Sequence, residues 1–139
     1  MEGQRVIESR GKKLAAYFPG GGWGPGSTFL SQPEDFVQVG LWSYDHGTRL
    51  GPRVHSVALR ESSWSQEVVF VRSGRISALI FDSEAVLVET LEMGAGDLLI
   101  SYAGGHGYHI LEDGTQVLEV KNGPYPGPEA DRRRFPWPD

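Results

Sequence analysis

Short apolar runs separated by glycine and proline are the feature that most limits the folds open to this chain. The 139 residues include 19 glycines and 9 prolines, and turn signals recur roughly every ten residues. After residue 30 no segment shows the apolar period of 3.6 residues that an amphipathic helix needs. The β-rich runs are FVQVGLWSY, EVVFVRSG, RISALIFD, AVLVETL, GDLLIS, YHILED and TQVLEVKNG. This pattern predicts an all-β sandwich or barrel.

The length of the chain predicts a single domain over residues 1–139. We expect a barrel over about residues 36–122, preceded by an irregular arm or loop over residues 1–35 that covers one end of the fold. The segment 123–139 is rich in proline and is expected to lie extended on the surface. Three aromatic side chains would anchor it: Tyr125, Phe135 and Trp137.

Composition and charge exclude several classes of function. The chain has no cysteine, so neither disulfides nor thiolate metal sites can form. The net charge is −5, and basic residues cluster only at 132–134, so nucleic acid is not expected as a partner. No apolar run reaches the length of a membrane span, and the N-terminus lacks the apolar core of a signal peptide. We therefore expect no membrane partner and a cytoplasmic location.

Two segments of the chain together resemble the two motifs of the cupin superfamily. In EVVFVRSGRISALI, six residues separate Glu67 from Gly74, with one strand before the turn and one after it. In GDLLISYAGGHGYHI, Gly-Asp and an apolar strand lead through a turn of small residues to His106. The resemblance covers roughly residues 40–121 and implies a double-stranded β-helix, or jelly roll. The end of the chain also resembles small cupins of polysaccharide and nucleotide-sugar gene clusters.

The first hypothesis that this resemblance implies is a metal enzyme. Cupins carry His-x-His before the glutamate, and the matching run PRVH places His55 at one of these positions and Arg53 at the other. A divalent metal would then be held by His55, Glu67 and His106. Two imidazoles and a carboxylate leave coordination positions open, which suits Fe(II), Mn(II), Ni(II) or Zn(II). Because a guanidinium cannot ligate a cation, an anionic substrate would have to bridge Arg53 to the metal.

The second hypothesis is a metal-free isomerase, epimerase or dehydratase that acts on a sugar. Such chemistry removes a proton from the carbon next to a carbonyl, and a histidine suits this task at neutral pH. Either His55 or His106 would be the base, and Tyr108 or Tyr102 would be the acid.

Both enzyme hypotheses predict a small anionic substrate, with a nucleotide-linked or phosphorylated sugar as the favoured class. Cationic side chains would hold its phosphate or a developing enolate, and an indole could stack on a sugar ring at the pocket mouth. The residues predicted to bind the substrate are Arg53, Arg60, Trp64, Tyr102 and Lys121.

A third hypothesis is a ligand-binding barrel without catalysis, because one fold supports many functions. In each case we expect a homodimer, since unpaired sheet edges need to be covered and pairing two subunits is one way to cover them.

Overall fold

The computed structural model of this protein describes residues 1–138, and these residues are nearly all β. The strands are β1 (Arg5–Ser9), β2 (Lys12–Phe18), β3 (Gly26–Phe29), β4 (Gly40–Ser43), β5 (Glu67–Ser73), β6 (Arg75–Phe81), β7 (Leu87–Gly94), β8 (Leu98–Ser101), β9 (Gly105–Ile110) and β10 (Gln116–Lys121). One short helix, α1, spans Pro128–Asp131. The all-β prediction is confirmed. No helix among the described residues is long and apolar enough to cross a membrane.

The strands form three antiparallel sheets, and none of them closes into a barrel within residues 1–138. The five-stranded sheet has the order β1-β2-β8-β5-β10, the three-stranded sheet has the order β7-β6-β9, and β3 pairs with β4. The two larger sheets share one hydrophobic core, to which β1, β2, β5 and β8 contribute from one side and β6 and β7 from the other. The architecture is therefore two sheets packed face to face.

The five-stranded sheet is buried on both faces at its centre. Val69 and Leu99 point toward the three-stranded sheet, whereas Val68 and Ile100 point the other way, into a second core that Leu41 of β4 helps to close. Because successive residues of a strand face opposite sides, burial on both sides requires continuous apolar runs. The runs VVFV and LLI meet this requirement.

The first 35 residues do not form the predicted irregular arm. They contain β1, β2 and β3, and β2 lies inside the five-stranded sheet, between β1 and β8. Its central residues Leu14, Ala15 and Ala16 are all buried. A short apolar run that is buried on both faces has no alternation, so periodicity alone does not identify it as a strand.

The C-terminal segment lies on the surface, with most of residues 123–138 exposed, and it folds back over one end of the sandwich. After α1, the ring of Phe135 meets the ring of Phe81 edge-on, with 4.9 Å between the centroids. Trp137 approaches His109 in the same manner at 6.4 Å. The predicted aromatic anchors are thus used to fasten the tail to β6 and β9.

Residues 44–65 form a long exposed excursion between β4 and β5. Every residue in it is exposed, and it contains no strand. The strand predicted for PRVH, residues 52–55, is absent from the structure described here. Three aliphatic side chains of segment 44–65 are almost fully in solvent, with exposures of 95% for Val54, 105% for Val57 and 87% for Leu59.

Replacement of Leu99 by alanine tests the shared core. Leu99 is 0% exposed between β2 and β5, so truncation leaves a cavity that the flanking strands cannot fill. We expect a loss of about 2–5 kcal/mol in the free energy of unfolding, measured by urea denaturation. The matched control is Leu87→Ala, at a residue that is 40% exposed, which should cost less than about 1 kcal/mol. Equal losses would contradict this account of the core.

Candidate functional site

Three polar side chains form a row across neighbouring strands at one end of the five-stranded sheet. Ser101 of β8 lies opposite Glu67 of β5, and Glu67 lies opposite Lys121 of β10. Glu67 and Ser101 are each two residues from a core residue of the same strand, Val69 and Leu99. Strand alternation therefore directs this row into the space between the two sheets.

The facing sheet contributes two aromatic side chains from β9. His106 pairs with Ile80 and Tyr108 with Ala78, both of which belong to the shared core, so both rings point inward. The chain enters β9 through Gly104, whose φ is +74°. A β-carbon there would collide with the carbonyl oxygen of Phe81. Glycine at this turn thus allows β9 to lie close against β6 and present His106 to the interior.

Glu67 of the five-stranded sheet contacts two side chains of the three-stranded sheet. Its Oε1 lies 3.3 Å from Nε2 of His106 and accepts a hydrogen bond of 3.4 Å from the Tyr108 hydroxyl. The His106 and Tyr108 rings are 5.3 Å apart between centroids. The side chain of Glu67 is only 10% exposed, compared with 31% for His106. One nearly buried carboxylate therefore orients both an imidazole and a phenol.

The environment of Tyr108 keeps its hydroxyl protonated. Burial raises the pKa of Tyr108 far above its usual value, and the negative charge of Glu67 raises it further. The nearby Ser101 hydroxyl opposes this pKa shift slightly. Even so, the buried Ser101 Oγ makes no well-formed hydrogen bond within residues 1–138. Tyr108 is thus a proton donor at neutral pH, and Ser101 offers an unused polar atom beside it.

Lys121 brings a positive charge to the same end of the sandwich. Its Nζ lies 3.7 Å from Glu119 and 3.8 Å from Asp131 of α1, and 4.9 Å from the centroid of the Tyr125 ring. Asp131 also accepts a hydrogen bond of 3.1 Å from the Ser65 hydroxyl. These contacts tie the start of the C-terminal tail to β10 and to the residue before Gln66.

The folded-back tail borders an open cavity of about 610 Å³ around these groups. This volume lies within the range of small-molecule sites in proteins. The floor carries the polar row and the two β9 rings, and the tail contributes Phe135, Trp137 and the arginines 132–134 at the mouth. The cavity is therefore acidic at Glu67 and cationic where it opens to solvent.

The structure brings together four of the residues that the sequence predicts for a site: Glu67, His106, Tyr108 and Lys121. The other predicted residues lie elsewhere. Four of them belong to the exposed segment 44–65: Arg53, His55, Arg60 and Trp64. Among residues 1–138 the Arg60 side chain donates a hydrogen bond only to the carbonyl of Ala58, two residues earlier. Within one chain they are not part of the cavity, because the predicted strand that would direct them inward is not formed.

Tyr102 is on the opposite face of the five-stranded sheet and cannot serve as the acid. It follows the inward-facing Ser101 and therefore points into the second core. The ammonium of Lys13 lies 3.8 Å from its ring centroid, and Lys13 in turn pairs with Asp35 at 3.1 Å. Burial, followed by the charge of Asp35, raises the pKa of Tyr102 to about 12.

The predicted metal site is not assembled within one chain. Glu67 and His106 supply two donors that already contact each other, whereas the third predicted ligand, His55, lies in the exposed segment. No group of three histidine or carboxylate side chains able to hold a metal ion occurs among residues 1–138. Since catalytic metals in proteins usually take three protein ligands, this donor set does not fit one.

Sequence reasoning assigned no role in the site to Ser101, Glu119, Asp131 or the tail aromatics. The sequence pattern could have indicated Ser101 and Glu119, because each is two residues from an apolar residue on the same face of its strand. Asp131 and Phe135 have none, since only tertiary folding brings the tail over β10 and β6.

Comparison of the chain with protein-family models, curated proteins and solved structures finds no match. The cupin resemblance therefore depends on the two motifs alone.

The two buried tyrosines predict a loss of stability at high pH. Because the pKa of Tyr102 is raised from 10.0 to about 12 in the folded state, the unfolded chain releases this proton first as the pH rises. Stability is thus full below pH 10 and falls between pH 10 and about 12. Tyr102→Phe should reduce that slope by up to about 1.4 kcal/mol per pH unit, measured by urea denaturation from pH 9 upward. A slope equal to that of the unsubstituted protein would contradict the assignment.

Proposed function

We propose that this protein is an isomerase, epimerase or dehydratase that removes a proton from the carbon next to a carbonyl in a small anionic, sugar-like substrate. The observation that carries the proposal is the contact of Glu67 with both His106 and Tyr108 on the floor of a cavity that opens to solvent. A base and an acid oriented by one carboxylate are the parts that such a reaction requires.

In this proposal His106 is the base. Its Nε2 faces the Glu67 carboxylate, so Nε2 carries the hydrogen and donates it, and the Nδ1 lone pair is left to accept a proton. The carboxylate then stabilises the imidazolium that forms when His106 takes the substrate proton. Glu67 acts in this way as a positioning residue for the base.

Tyr108 is the acid. When the carbon–hydrogen bond breaks, its electron pair moves to the carbonyl oxygen as an enolate and the proton goes to His106. The phenol of Tyr108 then donates its proton to the enolate oxygen, giving an enol. In an isomerase or epimerase the cycle closes when the imidazolium returns its proton to a carbon while the tyrosinate takes back a proton from an enol hydroxyl and the carbonyl forms again. In a dehydratase the enolate instead expels a hydroxyl group from the next carbon, and this group takes the imidazolium proton and leaves as water. A phenol is protonated at neutral pH, and burial and Glu67 raise the pKa of Tyr108 further, so Tyr108 begins the cycle protonated.

The cavity lining carries charges of both signs, with Lys121 and arginines 132–134 against Glu67, Asp82, Glu119 and Asp131. Lys121 is already close to two of these carboxylates, so the exposed arginines are the cations that would bind a phosphate. The resemblance to cupins of nucleotide-sugar gene clusters supports a sugar as the rest of the substrate. Two facing antiparallel sheets, with both motifs on strands that meet at the site, support a cupin-like arrangement as part of this proposal.

Hydrogen exchange tests the proposed reaction. The protein is incubated in D₂O with a panel of phosphorylated ketoses and nucleotide-linked keto sugars, and NMR follows deuterium at the carbon next to the carbonyl. We expect exchange with at least one compound, and a loss of at least about a hundredfold in its rate for His106→Ala and for Tyr108→Phe. The absence of exchange with every compound would overturn the proposal.

A stability measurement separates a catalytic role of His106 from a structural one. His106 is partly exposed, so His106→Ala should leave the melting temperature nearly unchanged while exchange is lost. The matched control is His46→Ala, at an exposed histidine outside the cavity, which should alter neither quantity. A large drop in melting temperature for His106→Ala would assign this residue to structure.

A further inference from the structure

The outer edge of β10 is an unpaired strand with apolar side chains on both faces. β10 ends the five-stranded sheet, and its Val117, Leu118 and Val120 are 39%, 58% and 50% exposed. Val117 lies opposite the fully buried Val71, so it points into the sandwich and is exposed only because no further strand covers it. An apolar open edge of this kind is a template for pairing with another strand.

Part of the exposed segment 44–65 also lacks pairing partners, so it could add to the open edge of β10 as a strand. No backbone hydrogen bond joins residues 49–63 to the rest of the chain within residues 1–138. If residues 53–59 are extended, Arg53, His55, Val57 and Leu59 share one face, and Val54 lies on the other. Val54, Val57 and Leu59 are each 87% exposed or more, so both the backbone and the large aliphatic side chains of residues 53–59 lack partners within one chain.

We propose that residues 53–59 of a second copy of this chain add to the edge of β10 as an antiparallel strand, and that the exchange is reciprocal, so that the protein is a two-fold dimer. In the register that we propose, Val57 lies opposite Val117 and His55 opposite Glu119. Val54 then lies opposite Val120 on the other face. Apolar side chains thus meet on both faces of the new strand pair, and reciprocal exchange gives a closed, self-complementary interface.

The two surfaces carry opposite net charge. Segment 44–65 has Arg49, Arg53 and Arg60 against Asp45 and Glu61, whereas the edge has Glu112, Asp113 and Glu119 against Lys121. Arg53 would arrive at the Lys121 end of β10, where Glu119 and Asp131 already surround the ammonium. The added guanidinium therefore meets two carboxylates as well as one cation.

The connection to β5 excludes the same chain as the donor of this strand. The carbonyl of Trp64 accepts a hydrogen bond of 3.0 Å from Asn122, at the far end of β10. Leu59 would lie beside residue 115, so the chain would have to return about 24 Å along β10 to reach that bond. The five residues from Leu59 to Trp64 span at most roughly 17 Å, with none left for a reversal of direction. A second copy has no such restriction.

The dimer would also change the cavity, because Glu119 and Lys121 line it. Arg53 and His55 of the partner copy would then lie beside Lys121 and Glu119 in the wall of the cavity. Arg53 and His55 are predicted from the sequence to belong to a site, but they lie outside the cavity of their own chain. In the dimer they would reach the cavity of the partner chain. This pairing is independent of the proton-transfer chemistry proposed above, and either can fail alone.

Disulfide trapping tests the pairing directly, since the natural chain has no cysteine. The double variant Val57→Cys/Val117→Cys is oxidised and analysed by non-reducing electrophoresis, alongside each single variant and Leu59→Cys/Val117→Cys, which probes a register shifted by two residues. We expect a covalent dimer from the first double variant and much less from the single variants. The mismatched control is Val57→Cys/Val86→Cys, because Val86 is exposed in the turn between β6 and β7.

An internal disulfide at the mass of one chain would show pairing within the chain and overturn the proposal. The absence of a disulfide in both the first double variant and the shifted one would also overturn it.

The mass in solution gives a second test that does not depend on a disulfide. Light scattering after gel filtration should give twice the mass of one chain for the natural protein and one chain mass for Val57→Asp, which places a charge in the new apolar contact. Val57 is fully exposed in the single chain, so this variant should keep its circular dichroism spectrum. The control Val86→Asp should remain a dimer. A monomeric natural protein, or a dimeric Val57→Asp, would contradict the exchange.

Discussion

Burial of the β5–β8 strand pair on both faces is the constraint on which the rest of this structure depends. One face packs against the three-stranded sheet, and the other packs against Leu30 and Leu41 of the β3–β4 region. Because both faces are occupied, the register of these strands cannot slip by a residue without moving apolar side chains to the wrong core. The same register places Glu67 directly opposite Ser101, so the packing that stabilises the fold also sets the floor of the cavity.

The cost of burying a negatively charged carboxylate at the end of such a core must be compensated by hydrogen bonds or by opposite charge. Glu67 is nearly buried, and an unpaired charge in that position would be costly. The hydrogen bond from Tyr108 supplies the compensation, whereas His106 is partly exposed and water can replace it beside Glu67. Both contacts join the two sheets at one end, and the C-terminal tail partly covers the opening through Phe135 and Asp131. Stability and candidate chemistry therefore share Glu67 and Tyr108.

Much of the candidate site could be predicted from the sequence because it lies on strands. Glu67 opens a strongly apolar run, and His106 and Tyr108 are two residues apart on another, so alternation puts the last two on one face. Tyr102 shows the limit of this reasoning, since it is adjacent to an inward-facing serine and so faces the other core. For His55 and Arg53 the local pattern suggests a strand, but a strand forms only where an edge is available to pair with it.

The amino-acid sequence predicts the class of the fold and the positions of most strands from β4 onward, because short-range alternation and turn residues carry that information, and it includes Glu67, His106 and Tyr108 among several candidates for a site. Only the folded chain shows that residues 5–18 join the main sheet, that the tail borders the cavity, and that segment 44–65 stays outside it. Those outcomes depend on which distant surfaces remain uncovered once the strands have paired. No local pattern records this, because a strand edge or an apolar face becomes available only in the assembled fold.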